Sequence, residues 1–271
     1  MVSVGNEQSD GSVATVTRRV VVTGASGLVG RAVLRACSAD PSIGRVVAVD
    51  LREPDTRPAG VETRTADILT ADLDECFAGA DVVIHSGTKY LNGHHDAMCG
   101  VVAGTEPYIQ EVLAKMMVWD QAPDPFAAWL LERGLKTLDV RVQRQNQNTM
   151  RIANWCANRK EIKPVHYPGL TDHPDHDVAK VMLDGFGGMM AIELSGGGKA
   201  ADRFLRRLRL IQHATSLGGV DSLVSEPRYS SHARLSSEER ARIGIPDGFL
   251  RLSIGIEDAD DIIADIEQAL K

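Results

Sequence analysis

Short β-branched runs and stretches of helical apolar spacing follow one another along this chain. Arg19-Val20-Val21-Val22-Thr23 reads as a buried strand. Gly24-Ala25-Ser26-Gly27-Leu28-Val29-Gly30 follows, and residues 31–37 place their apolar side chains at helical spacing. Arg45-Val46-Val47-Ala48-Val49-Asp50 predicts a second strand and Ala80-Asp81-Val82-Val83-Ile84-His85 another. Residues 109–117 then favour a helix, and Pro123-Asp124-Pro125-Phe126 interrupts the chain before a second helical run at 127–131. Arg133-Gly134 punctuates again ahead of a long polar-amphipathic stretch, 137–158. Strand-like runs at 163–166, 189–194, 222–225 and 249–256 alternate with helices near 199–213 and 258–270. The last helix opens on Asp258, Asp260 and Asp261 and closes on Lys271, matching the helix dipole, with Ile262, Ile263, Ile266 and Leu270 as its apolar stripe. The order predicts an α/β start, a parallel sheet with helices, followed by an α+β C-terminal part.

Composition narrows the classes. The chain has 271 residues, 43% of them hydrophobic, enough for a core in one large domain or two small ones. A net charge of −7 and a pI near 5.6 argue against a nucleic-acid binder or an anionic-membrane binder. Cys37, Cys76, Cys99 and Cys156 lie far apart without a Cys-x-x-Cys pair, which suits a reducing, cytoplasmic setting. Residues 1–17 are small and polar, lack the pattern of a signal peptide and read as a loose tail. No apolar run reaches the roughly 18 residues of a membrane span.

The candidate chemistry gathers at two strand ends. Past His85 the chain runs Ser86-Gly87-Thr88-Lys89-Tyr90. Read by spacing alone, this is either a surface loop with one ordinary lysine or a lysine poised to react with an aldehyde. Desolvation turns a lysine amine into a nucleophile, and Ser86 and Thr88 are hydroxyls of the kind that hold a phosphate. Together they suggest a Schiff-base lysine for pyridoxal phosphate. The second strand end carries Gly24-x-x-Gly27-x-x-Gly30 between a strand and a helix, the context a dinucleotide fingerprint needs. Asp50 ends the next strand about 20 residues past Gly30, where ribose hydroxyls would be bound.

Other polar clusters weigh less. His166, His173 and His176 with Asp172, Asp175 and Asp177 are interrupted by Pro168 and Pro174, so no helix aligns two histidines, and no metal site is expected there or at His94-His95-Asp96. Arg203, Arg206, Arg207 and Arg209 read as a solvated helix face. Arg251 stands inside an apolar strand run, where a guanidinium needs a partner: a structural salt bridge or a bound carboxylate.

Two resemblances order these signals. The glycine turn resembles the start of the extended short-chain dehydrogenase/reductases, the NAD-dependent epimerase group. That likeness implies a dinucleotide contact at Asp67 beside Gly24, Gly27, Gly30 and Asp50. The tyrosines Tyr90, Tyr108, Tyr167 and Tyr229 are followed four places on by His94, Val112, Thr171 and Ala233, never by the lysine that family's acid/base pair requires. Its reductase chemistry is therefore not expected.

From about residue 81 onward the chain resembles the Cys/Met-metabolism pyridoxal-phosphate enzymes, the cystathionine synthase/lyase family. The motifs are Ser86-Gly87-Thr88-Lys89-Tyr90-Leu91-Asn92-Gly93-His94, Arg133-Gly134-Leu135-Lys136-Thr137-Leu138, His166-Tyr167-Pro168-Gly169-Leu170, Ser216-Leu217-Gly218-Gly219-Val220 and Arg251-Leu252-Ser253-Ile254-Gly255-Ile256-Glu257-Asp258, in the family's order. This likeness implies Lys89 as Schiff base and proton shuttle, Ser86 and Thr88 on phosphate, and Arg251 with Ser216 on a substrate carboxylate. It also implies a sulfur amino-acid substrate, C–S lyase or gamma-synthase chemistry, and a homo-oligomer.

The expected fold is a truncated Rossmann-like sheet joined to a C-terminal domain like that of fold-type I pyridoxal-phosphate enzymes. The expected divisions are a tail at 1–17, a dinucleotide-binding segment at 18–85, a lysine segment at 86–136 and a small domain at 137–271. Upstream of the lysine none of the family's motifs for the pyridine nitrogen or the phosphate cradle is present, so the chain reads as a chimera of impaired activity. The alternatives are an NAD(P)-binding protein without pyridoxal chemistry and an inactive chimera.

Overall fold

Two compact units divide the chain: residues 1–86 with 100–123, and residues 87–99 with 124–271. The computed structural model describes residues 2–7, 17–23, 28–41, 43–50, 58–65 and 82–271.

In the first unit, β1 (Val2–Glu7), β2 (Thr17–Thr23), β3 (Ile43–Asp50) and β4 (Val61–Thr65) form one sheet in the order β1-β2-β3-β4. The pairs β2–β3 and β3–β4 are parallel, as the strand–turn–helix pattern predicts, and α1 (Leu28–Ala39) supplies the crossover from β2 to β3. Val20, Leu34, Val46, Ala48 and Val61 form the buried cluster between helix and sheet. Two expectations change. Val2–Glu7, expected in a loose tail, lies antiparallel on β2 with Val2 opposite Val22 and Val4 opposite Val20. Its alternating valines suit a pleated edge better than a coil. Val82–Ser86 (β5), expected as the next parallel strand, pairs antiparallel with β6 (Gly100–Gly104) in a ribbon of its own. The chain returns directly beside β5 after a short loop, and a direct return can only be antiparallel. Helix α2 (Glu106–Trp119) follows, with Pro107 in its first turn and Asp120 closing it in the left-handed conformation.

The second unit is built on a mixed five-stranded sheet in the order β7-β8-β11-β10-β9. Its strands are β7 (Ile162–His166), β8 (Met189–Leu194), β9 (Gln212–His213), β10 (Leu223–Ser225) and β11 (Phe249–Ser253). The neighbours β7–β8, β8–β11 and β11–β10 run antiparallel, and β10–β9 runs parallel. Helices α3 (Pro125–Leu135), α4 (Leu138–Ala157), α5 (His176–Met182), α6 (Gly197–Arg207), α7 (Ser237–Arg242) and α8 (Ala259–Leu270) complete it. The expected break at Pro123–Phe126 is a helix start: the Asp124 side chain accepts from the N–H groups of Phe126 and Ala127, with Pro125 at the first helical position.

The core lies between this sheet and its helices, with Ile152, Ile192, Phe204, Leu250, Leu252, Ile262 and Ile266 almost fully buried. Fully burying one such side chain contributes about 1.5–3 kcal/mol. Among the described residues no helix is long and apolar enough to cross a membrane.

Candidate active site

β5 ends at Ser86, and the next residues, Gly87–Leu91, form one irregular helical turn broken at Lys89 (φ −96°, ψ −125°). Thr88 closes the loop that follows: its hydroxyl donates to the Cys99 carbonyl at 3.3 Å and accepts from the Cys99 N–H at 3.0 Å. With its proton so engaged, Thr88 has a lone pair but no donor left for a phosphate. Ser86 is exposed at the strand end.

Helix α4 anchors the lysine loop from beneath. Its buried stripe is Arg141, Gln145, Asn148, Thr149, Ile152, Ala153 and Cys156, polar in the first half and apolar in the second. The apolar half packs on the sheet, and the polar half holds backbone. Arg141, 3% exposed, donates to the carbonyls of Tyr90 (3.0 Å), Leu91 (3.3 Å) and Gly134 (2.8 Å) and to the Thr137 hydroxyl (3.1 Å). Burial lowers the Arg141 pKa from the ordinary arginine value, yet its donors are matched by oxygens. Gln145 donates to the Gly219 carbonyl at 2.7 Å, and Asn148 to the carbonyls of Gly255 (3.1 Å) and Glu257 (2.8 Å). One helix face thus fixes the lysine loop, the Gly218–Gly219 loop and the chain leaving β11. Gly134 in α3 lets that helix approach: a Cβ there would overlap the Asn92 carbonyl.

The Ser216–Gly219 loop lies against the lysine loop. Gly218 has φ 78°, and a Cβ on it would come within 2.8 Å of the Tyr90 ring. A Cβ on Gly219 would overlap the His95 ring. The Gly218 N–H is held by the Ser253 hydroxyl at 2.9 Å, and the Val220 N–H by the Gly93 carbonyl at 2.9 Å. These contacts bring Ser216 Oγ to 3.4 Å from Lys89 Nζ and 3.1 Å from His95 Nδ1. Arg251 on β11 donates through Nη2 to the carbonyls of Thr215 (2.7 Å) and Ser216 (3.4 Å). A cavity of about 400 Å³ opens beside Thr88, Lys89, His95, Asp96, Thr215 and Ser216.

Lys89, Ser216 and Arg251, distant in sequence, therefore meet in one place. The dinucleotide candidates fall differently. Gly30 lies in the first turn of α1 and Asp50 ends β3, whereas Gly24, Gly27 and Asp67 lie outside the described residues. Among those residues no three His, Cys, Asp or Glu side chains converge as a metal set. His166 and His176 are instead packed on Phe249 and Phe186, and His176 Nδ1 lies 2.9 Å from the Pro168 carbonyl. The sequence reading missed Arg141 and His95. The 3–4 spacing of the buried α4 stripe contains the signal for Arg141, because it begins with a charged residue.

The described elements define a mixed α/β protein whose lysine loop, serine–glycine loop and strand arginine share one cavity. The family described as Cys/Met metabolism PLP-dependent enzyme matches residues 68–271, and the chain belongs to it. The NAD dependent epimerase/dehydratase family matches residues 20–97, so the two matches overlap where β5 stands and the chain is a chimera of the two.

Cystathionine gamma-lyase of Dictyostelium discoideum is 42% identical over 71% of this chain and 50% of its own length. O-succinylhomoserine sulfhydrylase of Pseudomonas aeruginosa is 38% identical over 73% of this chain and 52% of its own. The chain thus spans about half the length of these curated relatives. Among solved structures, cystathionine gamma synthase from Xanthomonas oryzae pv. oryzae, in complex with aminoacrylate and cysteine, matches with a TM-score of 0.68 and 34% identity. That match covers 93% of this chain and 62% of the other. Cystathionine gamma-lyase from yeast matches at 0.67 and 36% identity, over 86% of this chain and 56% of the other.

Proposed function

We propose that this chain binds pyridoxal phosphate at Lys89 and acts on the Cβ–S or Cγ–S bond of a sulfur amino acid, as a lyase or a gamma-synthase. The observation that carries the reading is the meeting of Lys89, Ser216 and Arg251 around one cavity. The residues fit the cofactor at its aldehyde end, because the Lys89 amine borders the cavity and Ser216 Oγ is its hydrogen-bond partner. At the phosphate end, Thr88 offers a lone pair, and its hydroxyl must turn away from Cys99 before it can donate.

Pyridoxal phosphate, when bound, supplies the electron sink for a pair released at the substrate Cα. The rest belongs to the chain. Lys89 Nζ holds the aldehyde carbon and, once released by the incoming amino group, takes the Cα proton and returns a proton at Cγ. Ser216 Oγ aims Nζ. The Arg251 guanidinium, with Nη2 fixed by two carbonyls, orients the remaining edge of its fork toward the substrate carboxylate.

The test is the visible spectrum of the purified chain with added pyridoxal phosphate, beside Lys89→Ala. Wild type should gain a yellow band, and borohydride should fix the cofactor covalently on the Lys89 peptide, as read by mass. Colourless protein with no labelled peptide overturns the reading.

A second reading, dinucleotide binding at the glycine turn, is favoured by the β2–α1–β3 parallel crossover and the epimerase match. It expects NAD to protect the chain against thermal unfolding, whatever happens at Lys89.

A further inference from the structure

The lysine loop holds a histidine that this reading leaves unused. His95 takes φ 59°, the left-handed region that non-glycine residues seldom occupy, and keeps it because Gly219 leaves room for the ring. Its Nδ1 lies 3.1 Å from Ser216 Oγ, and the same oxygen lies 3.4 Å from Lys89 Nζ. Its Nε2 is buried and without a hydrogen-bond partner among the described residues.

A hydroxyl has one proton and two lone pairs, so Ser216 can donate to only one of its two neighbours. Burial lowers the His95 pKa; Lys89 and His94 push the same way, against Asp221 and Asp96. The ring is therefore neutral, and a neutral ring can accept at Nδ1. The other charged group at this junction is Arg251, held on the Ser216 carbonyl.

Building on the reading of Lys89 as the cofactor lysine, we propose that His95 is a positioning residue that accepts the Ser216 hydroxyl proton at Nδ1. Ser216 Oγ then faces Lys89 Nζ as an acceptor only, and the amine is held in its protonated, N–H-donating form. No proton leaves the chain of three groups; His95 decides where the single hydroxyl proton points. Without that acceptor the hydroxyl is free to rotate and donate to the Nζ lone pair, which favours the neutral amine.

The test reads Lys89 directly, in the full chain and with no cofactor present: trace acetylation across pH, measured on the Lys89 peptide by mass spectrometry. His95→Gly removes the acceptor and suits a positive φ. His95→Asn tolerates that φ and carries an amide oxygen near the position of Nδ1. The labelling midpoint should fall by about one pH unit in His95→Gly, the size expected for a hydrogen bond to a charged group, and stay at the wild-type value in His95→Asn.

Ser216→Ala, which deletes the acceptor oxygen itself, should lower the midpoint as well, and His95→Gly added to it should give no further shift. An unchanged or raised midpoint in His95→Gly or Ser216→Ala overturns the proposal. So does an asparagine variant that moves as far as glycine, or a further shift in the double variant. The cofactor reading fails separately, when borohydride fixes no pyridoxal phosphate on wild type while the labelling shifts are as expected.

Discussion

Arg141 and Gly219 show how single residues set this site. Three carbonyls of the lysine loop and its support, at Tyr90, Leu91 and Gly134, share the Arg141 guanidinium. Arg141→Met should therefore cost about 3 kcal/mol, because buried acceptors left without donors lose their desolvation energy outright. Arg141→Lys should recover only part of it, since a compact ammonium cannot span the three oxygens as the planar fork does. Urea unfolding midpoints check both, and a methionine variant as stable as wild type would refute the account. Gly219→Ala must displace the His95 ring and should cost about 1–3 kcal/mol by overpacking. It should also weaken pyridoxal-phosphate attachment at Lys89, read in the same unfolding series with and without cofactor.

At the scale of elements, α8 secures the segment after α6 through one side chain. Asp265, 6% exposed, accepts the backbone N–H groups of Arg209, Leu210 and Ile211, each at 2.9 Å. Burial pushes its pKa up, but those donors and Gln268 outweigh it and hold the carboxyl below the usual value. A carboxylate with a depressed folded pKa stabilises the fold at pH above its unfolded value, about 3.9, and that contribution fades as pH falls through the folded value. Asp265→Asn should thus lose about 1–3 kcal/mol at neutral pH, and the gap to wild type should close as the solution is acidified. Denaturant curves between neutral and acid pH test this; a gap that stays constant with pH would exclude the carboxylate as its source.

On the scale of the whole molecule, two units with separate cores carry two family matches. The described core of the first unit is a small cluster around Val20, Leu34 and Val46, whereas the second unit buries both faces of β8 and β11 among helices. Apolar burial scales with stability, so hydrogen exchange should be slowest at the amides of β8 and β11 and faster in β2 and β3. Equal protection in both sheets would contradict this ordering.

The sequence by itself determined the element order, because periodicity is local. Met189–Leu194 is a strand, the last helix begins at an aspartate cap, and Lys89 follows a strand end, all legible from spacing and motif order. The lysine, Ser216 and Arg251 were legible too, through resemblance, since no spacing links residues so far apart. Tertiary structure alone decided the rest. The direction of β5 depended on which strand reached it first. The polar half of α4 became structural because three loops presented bare carbonyls to it. His95 met Ser216 only because Gly218 and Gly219 have no side chain where the two loops touch. Contacts of that kind depend on distance in space, which the order of residues along the chain does not encode locally.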